Sequence, residues 1–214
     1  MDPVKRSSAA TGPQALVIFG IAQIPHPGES VSGDRHVLIP FENGLLLAVM
    51  DGLGHGEEAA LAADAAAAAI EGHAQEPVIA LLKRCHEALR GTRGAAISIA
   101  SLSWTYNTVT WLGVGNVDGV LLRGDDQTVS AHDNIMLFPG VVGHQLPPVR
   151  AVVTPINPGD LLILFTDGIR REFLSEPIIS NQAPQRIADR ICAKYSREND
   201  DALVSVARFV GGSG

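Results

Sequence analysis

Cysteine is scarce in this chain: Cys85 and Cys192 stand far apart, and neither belongs to a Cys-x-x-Cys pair. That spacing gives no sign of a disulfide framework or a thiolate zinc site, and both thiols are expected to be buried in helices. Aromatic residues are few, at 5% against 46% hydrophobic overall, so aliphatic side chains and alanine must fill the core. Basic residues fall short as well: 16 Lys and Arg face 23 Asp and Glu, a formal charge of -7. Such a balance argues against a nucleic-acid groove, which needs a basic face, and suits divalent cations better. No apolar run approaches the roughly 18 residues of a membrane span. Lys5 and Arg6 are not followed by an apolar stretch with a cleavage site, so no secretory signal is expected and the expected compartment is the cytoplasm. A Gly-x-x-x-x-Gly-Lys nucleotide loop is missing, and no pair of histidines shows zinc spacing.

What is present is organised around Leu45-Leu46-Leu47-Ala48-Val49-Met50-Asp51-Gly52-Leu53-Gly54-His55-Gly56. An uninterrupted apolar run delivers one carboxylate, Asp51, into a glycine-rich turn, and an alanine-rich helix follows. With no Lys or Arg in the run, that carboxylate is costly to bury unless it is paired, hydrogen-bonded or bound to metal. Asn43-Gly44 reads as a two-residue hairpin turn. It would set Glu42 opposite Leu45 and Asp51 opposite His36, with Asp34 on the diagonal roughly 7–8 Å away. Asp34, His36 and Asp51 then share one face of the hairpin. Carboxylates so spaced can flank a pair of divalent ions, although either aspartate alone reads better as an Asx turn closing a strand.

The rest of the chain predicts a strand over 16–24, helices over 57–72 and 77–90, and an antiparallel meander over 95–104, 108–114 and 117–123. A loop with one short strand at 135–138 occupies 124–148, and a strand runs over 149–156. Asn157-Pro158-Gly159 then turns into a second apolar strand ending in Asp-Gly, at Asp167-Gly168. An amphipathic helix over 184–196 precedes a last strand, 202–210, with Asp200-Asp201 at its entrance. Two strand exits and one strand entrance carry carboxylates, which antiparallel neighbours bring to one end of a sheet. The length suits one domain, 15–210, between a flexible leader, 1–14, and a flexible tail, 211–214.

Oxygen-only ligands suit hard ions, so the expected cofactor is a pair of Mn²⁺ or Mg²⁺ ions rather than zinc. Two such ions about 3.5–4 Å apart polarise a phosphoryl oxygen and activate water for in-line displacement. In that scheme Asp51 bridges the ions, the Gly52 carbonyl adds a ligand, Asp167 and Asp200 hold one ion, and Asp34 acts from one side. Asp51 and Asp167 are the central catalytic pair, and Asp201 competes with Asp200 for its place.

Ser32-Gly33-Asp34, then Asp51-Gly52-Leu53-Gly54-His55-Gly56, then the strand ending Thr166-Asp167-Gly168-Ile169, then Asp200-Asp201, together resemble the metal-dependent protein phosphatases of the PP2C type. The set is most similar to their SpoIIE-like bacterial branch, whose central strand-turn-strand Gly113-Val114-Gly115-Asn116-Val117-Asp118-Gly119 and glycine loop at 140–143 also resemble. The resemblance implies an α+β fold, an α-β-β-α sandwich of two antiparallel sheets flanked by helices. It further implies a dimetal site at one end and hydrolysis of phosphoserine or phosphothreonine on proteins. A stand-alone catalytic domain of this branch is similar to the feedback phosphatase of the bacterial stressosome. The implied partners are therefore phosphorylated STAS-domain scaffold or antagonist proteins, met by a monomer without nucleic acid or membrane. A sequestering pseudo-phosphatase is the alternative.

Departures are visible too. Leu53 stands where animal and plant PP2C enzymes have a histidine, with His55 two residues on. Leu203 replaces the Thr of Asp-Asp-x-Thr. No arginine matches the phosphate-binding one of those relatives, which leaves Arg35 or a partner residue to supply the charge, while Arg170-Arg171 reads as a solvated helix start or a contact for acid or phosphate.

Overall fold

A computed structural model describes residues 16–124, 128–129, 132–176, 178–179 and 181–211; the expected leader and residues 212–214 of the expected tail lie outside them. In chain order the elements are β1 (Val17–Ile24), β2 (Asp34–Phe41), β3 (Gly44–Gly52), α1 (Glu57–Ile70), α2 (Val78–Ala88), β4 (Ala95–Ser103), β5 (Thr108–Val114), β6 (Asp118–Leu122), β7 (Thr128–Val129), β8 (His132–Asn134), β9 (Leu137–Phe138), β10 (Val152–Pro155) and β11 (Leu161–Phe165). A 3-10 turn (Arg171–Ser175), β12 (Ile178–Ile179), α3 (Pro184–Tyr195) and β13 (Ala202–Phe209) complete the fold.

The strands form two stacked sheets, in the order β1-β13-β11-β6-β8 and β10-β5-β4-β3-β2, with β9 parallel to β5 and a separate β7-β12 pair. The apolar run of β3 is unbroken because both its faces are covered. Leu46, Ala48 and Met50 pack with Ala62, Ala66, Leu81 and Leu82 of α1 and α2, while Leu45, Leu47 and Val49 meet Leu162, Leu164 and Leu203 of the opposite sheet. On the outer face of that sheet, Ile163, Val204 and Val206 pack under Ile187 and Ile191 of α3. The α-β-β-α sandwich expected from the motifs is the architecture found. Each fully covered Leu, Ile or Val contributes about 1.5–3 kcal/mol, and the alanines of α1 bring that helix close to β3.

Two local expectations fail for steric reasons. Phe41 pairs with Gly44, so the hairpin turn is Glu42-Asn43 rather than Asn43-Gly44, and neither turn residue has a positive φ. Gly44 belongs to the strand: a Cβ there would lie 2.1 Å from the Leu102 carbonyl oxygen and 2.4 Å from the Phe41 ring, so it serves close approach rather than the turn. The register accordingly sets Asp34 directly opposite Asp51, and His36 opposite Val49. The face is preserved, and the two carboxylates are nearer than a diagonal pair.

The expected meander also breaks. β4 and β5 are paired, but β6 crosses to the other sheet, against β11 and β8. The crossing occurs at Gly115, whose φ of 92 suits glycine and whose Cβ would lie 2.5 Å from that of Ala96. β6 then buries both faces, Leu121 between the sheets and Val120 toward α3. The 124–148 segment, expected to hold one short strand, contains β7, β8 and β9 within its described residues.

Candidate metal centre

Strand alternation carries acidic side chains to one rim of the sandwich. Asp51 continues the inward-facing series Leu45, Leu47, Val49, and Asp34 shares its face across the ladder. Asp201 lies one alternation before Leu203, which also faces inward. Asp167 follows β11 in a turn closed by a hydrogen bond from the Ile169 N–H to the Thr166 carbonyl, at 3.0 Å. Two glycines allow the approach: a Cβ on Gly52 would lie 2.0 Å from the Ala59 carbonyl oxygen, and one on Gly168 would lie 1.8 Å from that of Asp201. The Asp201 Oδ2 and the Gly52 carbonyl oxygen both face Gly33, at 3.2 and 3.5 Å from the place its Cβ would take.

The carboxylates form a gradient from inside to outside. Asp34 and Asp201 are buried, Asp51 and Asp200 half-buried, and Asp167 exposed. Thr166 Oγ1 donates to Asp34 Oδ2 at 2.8 Å and accepts the Leu203 N–H at 2.9 Å. Asp201 Oδ1 accepts the His26 N–H at 2.8 Å, and Asp200 Oδ1 accepts the Asp201 N–H at 3.0 Å. Asn116 Nδ2 donates to Asp167 Oδ2 at 2.6 Å. Asp34 Oδ1 and Asp201 Oδ2 are buried with no hydrogen-bond partner. Among the described residues, no Lys, Arg or His forms an ion pair with any of these five aspartates.

Crowding of like charge out of water has the expected electrostatic result. Burial, then repulsion from Asp167, Asp200 and Asp201, pushes the Asp51 carboxyl up to about 8. Burial and the Asp51 charge hold Asp34 well above the usual carboxylate range against the Thr166 hydrogen bond, and burial and Asp167 raise Asp200. Orphaned carboxylate oxygens, the Gly52 backbone carbonyl on the same side and carboxylates without an ion-pair partner fit hard divalent ions. Among the described residues, no three His, Cys, Asp or Glu side chains stand together as a ready-made site for one metal ion. Asp167 is turned toward Asn116 and Asp34 toward Thr166.

The departures noted in the sequence now have addresses. Arg35 is spent on Asp64 and on the Ser32 and Asp34 carbonyls, so it does not turn its charge into the rim. His55 Nδ1 bonds Glu29 Oε1 at 2.9 Å and its ring stacks on His26, with centroids 4.4 Å apart; Leu53 is an exposed side chain. Leu203 carries no hydroxyl, and its N–H donates to Thr166 Oγ1. Thr166 and Asn116 were not singled out in the sequence. Each had a signal in its position, Thr166 just before an Asp-Gly exit and Asn116 in the turn facing it.

The two-sheet sandwich is the fold of the PP2C-type phosphatases. Residues 42–210 match the family described as Stage II sporulation protein E (SpoIIE), and the chain belongs to that family. It is 24% identical over 181 residues to the phosphoserine phosphatase RsbX of Bacillus subtilis (strain 168), covering 85% of this chain and 89% of RsbX. A chain from a structure of the bacterial stressosome, described as a modular system adapted to control secondary messenger signaling, superposes with a TM-score of 0.80 at 29% identity, covering 90% of this chain and 99% of that one. RsbX in complex with magnesium superposes with a TM-score of 0.78 at 22% identity, covering 90% and 94%. The chain is a PP2C-type phosphatase related to RsbX.

Proposed function

We propose that this enzyme removes phosphate from serine or threonine of a bacterial stress-signalling protein, a phosphorylated STAS-domain scaffold or antagonist, using two Mn²⁺ or Mg²⁺ ions. The observation that carries the reading is the meeting of Asp51, Asp167 and Asp200 at one rim with no ion-pair partner among the described residues, above the orphaned oxygens of Asp34 and Asp201. Asp51, the Gly52 carbonyl, Asp167 and Asp200 are the proposed ligands, with Asp34 acting from one side. When bound, the ions would polarise the phosphoryl group and activate water for in-line attack. The chain's own residues set the geometry. Thr166 holds Asp34 and ties it to β13, Asn116 orients Asp167, and the Gly52 and Gly168 contacts fix both Asp-Gly dipeptides. The phosphoserine phosphatase activity of RsbX and the likeness to a stressosome chain support this choice of substrate. A single domain over 15–210, acting as a cytoplasmic monomer, belongs to the same reading.

Mass spectrometry of a phosphorylated STAS partner incubated with the purified chain and Mn²⁺ tests it. Loss of about 80 Da per site is expected, abolished by a chelator and by Asp51→Asn. An unchanged partner that stays bound would replace hydrolysis by sequestration.

A further inference from the structure

A phosphate ester carries negative charge into a rim that is already acidic, so a cation supplied by the protein beside that rim would have its oxygens to meet. Beside Asp167 lies an open cleft of about 550 Å³ whose lining includes Asn116, Asp118, Arg171, Glu172 and Arg197. Its two arginines differ in their freedom. Arg171 is engaged by Asp118 and by Asn134 Oδ1, which brace its guanidinium against β6 and β8. Arg170, next in sequence, is spent on the Lys194 and Tyr195 carbonyls at the end of α3.

Arg197 is held differently. Its backbone N–H donates to the Gly168 carbonyl at 2.7 Å, and its Nε donates to the Asp167 carbonyl at 2.8 Å. Both anchors grip the backbone of the second Asp-Gly turn. The side chain is exposed, and among the described residues no carboxylate pairs with it and no acceptor engages its Nη atoms. A guanidinium fixed through one edge keeps the other as a pre-oriented fork, the geometry that suits phosphate oxygens.

We infer that Arg197 is a phosphate-docking residue: its free Nη edge meets the non-bridging oxygens of the substrate's phosphate monoester on the cleft side of Asp167. The inference rests on the phosphatase reading and adds a cation to it from the α3–β13 connection. The Nε anchor on the Asp167 carbonyl sets the height of the phosphate relative to that carboxylate. No atom of Arg197 takes part in bond making.

Isothermal titration of inorganic phosphate into the Mg²⁺-loaded chain, paired with a separate Mg²⁺ titration, tests this without turnover. Arg197→Ala is expected to weaken phosphate binding about tenfold or more, the usual result of losing a charge-assisted hydrogen bond, with Mg²⁺ affinity within about threefold of the parent. Arg197→Lys, which keeps charge but loses the fork, falls between. With the phosphorylated partner, KM rises more than kcat falls. Unchanged phosphate affinity in both variants overturns the inference while leaving the phosphatase reading intact. A parallel loss of Mg²⁺ and phosphate affinity would make Arg197 a brace for the Asp167 turn, and overturns it also. If the unmodified chain binds no Mg²⁺, the metal reading itself fails, and the docking role with it. Should Arg197→Ala unfold, Arg197→Lys alone decides, by the same pair of titrations.

Discussion

The Asp51-Gly52 end of β3 is packed under α1, whereas the Asp167-Gly168 turn after β11 lies open to the cleft and is gripped from the α3–β13 connection. Gly52 touches the Ala59 backbone, and Asp51 stands where burial and three neighbouring aspartates push its carboxyl up to about 8. Gly168 touches the Asp201 backbone, and Asp167 is exposed, with Asn116 on its Oδ2 and Arg197 on its carbonyl. One dipeptide therefore serves two ends. Inside, low dielectric makes a charge that needs cations; outside, ready-made hydrogen bonds hold a charge that can meet substrate.

The largest effect expected is catalytic. Asp51→Asn and Asp167→Asn each lower turnover of the phosphorylated partner by about 10³-fold or more, which corresponds to about 4 kcal/mol of barrier. They separate in the metal-free protein: Asp51→Asn raises the thermal midpoint by relieving the buried repulsion, and Asp167→Asn moves it less. Equal shifts in calorimetry would erase the distinction between the two turns.

The pH dependence of the metal-free chain sharpens the same point. Asp51 has its folded pKa raised from the ordinary 3.8 to about 8, so between those values the native state binds more protons than the unfolded chain. Stability is then fully present below about 4 and is lost as pH rises through about 8. Denaturant titrations from pH 5 to 9 are expected to show this fall, flattened by Mg²⁺ and reduced in Asp51→Asn. A metal-free chain that gains stability over that range would contradict the proposed repulsion.

Backbone contacts give the next comparison. Gly168→Ala drives a Cβ into the Asp201 carbonyl, and Gly52→Ala into that of Ala59. Overpacking of this kind costs about 1–3 kcal/mol. The Gly168 variant is expected to lose more, because β13 is paired on both sides by β1 and β11, while α1 can shift on its alanine face. Chemical denaturation midpoints measure the difference.

These contacts also show what could be read in advance. β3 and β11 were legible because continuous apolar runs ending in Asp-Gly leave few alternatives, and helices with a clear stripe such as α2 and α3 followed from period alone. The register of the β2–β3 hairpin was not. Asn43-Gly44 is a strong local turn signal, and only the crowding of Gly44 by Leu102 and Phe41, residues distant or across the hairpin, sets the turn one residue earlier. The crossing at Gly115 was hidden for the same kind of reason, since β6 has the periodicity of a neighbour to β5 and is drawn away by partners later in the chain. At the rim the carboxylates announce themselves. Thr166, Asn116 and Arg197 acquire roles only when three distant segments meet.

Thr166 offers the smallest and most local test. Its hydroxyl is buried and used twice, accepting from the Leu203 N–H of β13 and donating to Asp34 on the other sheet, so it links the inner carboxylate to the strand that brings Asp200 and Asp201. Thr166→Val keeps the volume and removes both bonds, leaving a buried N–H without a partner; the expected cost is about 1–2 kcal/mol in denaturant midpoint. The lost bond also stops lowering the Asp34 carboxyl, so Asp34 binds its proton more firmly and the Mg²⁺ affinity at neutral pH falls. Thr166→Ser retains the hydroxyl and is expected to recover most of both. If serine were as damaging as valine, the methyl packing rather than the hydroxyl would be what matters, and the link from the inner carboxylate to β13 would not exist.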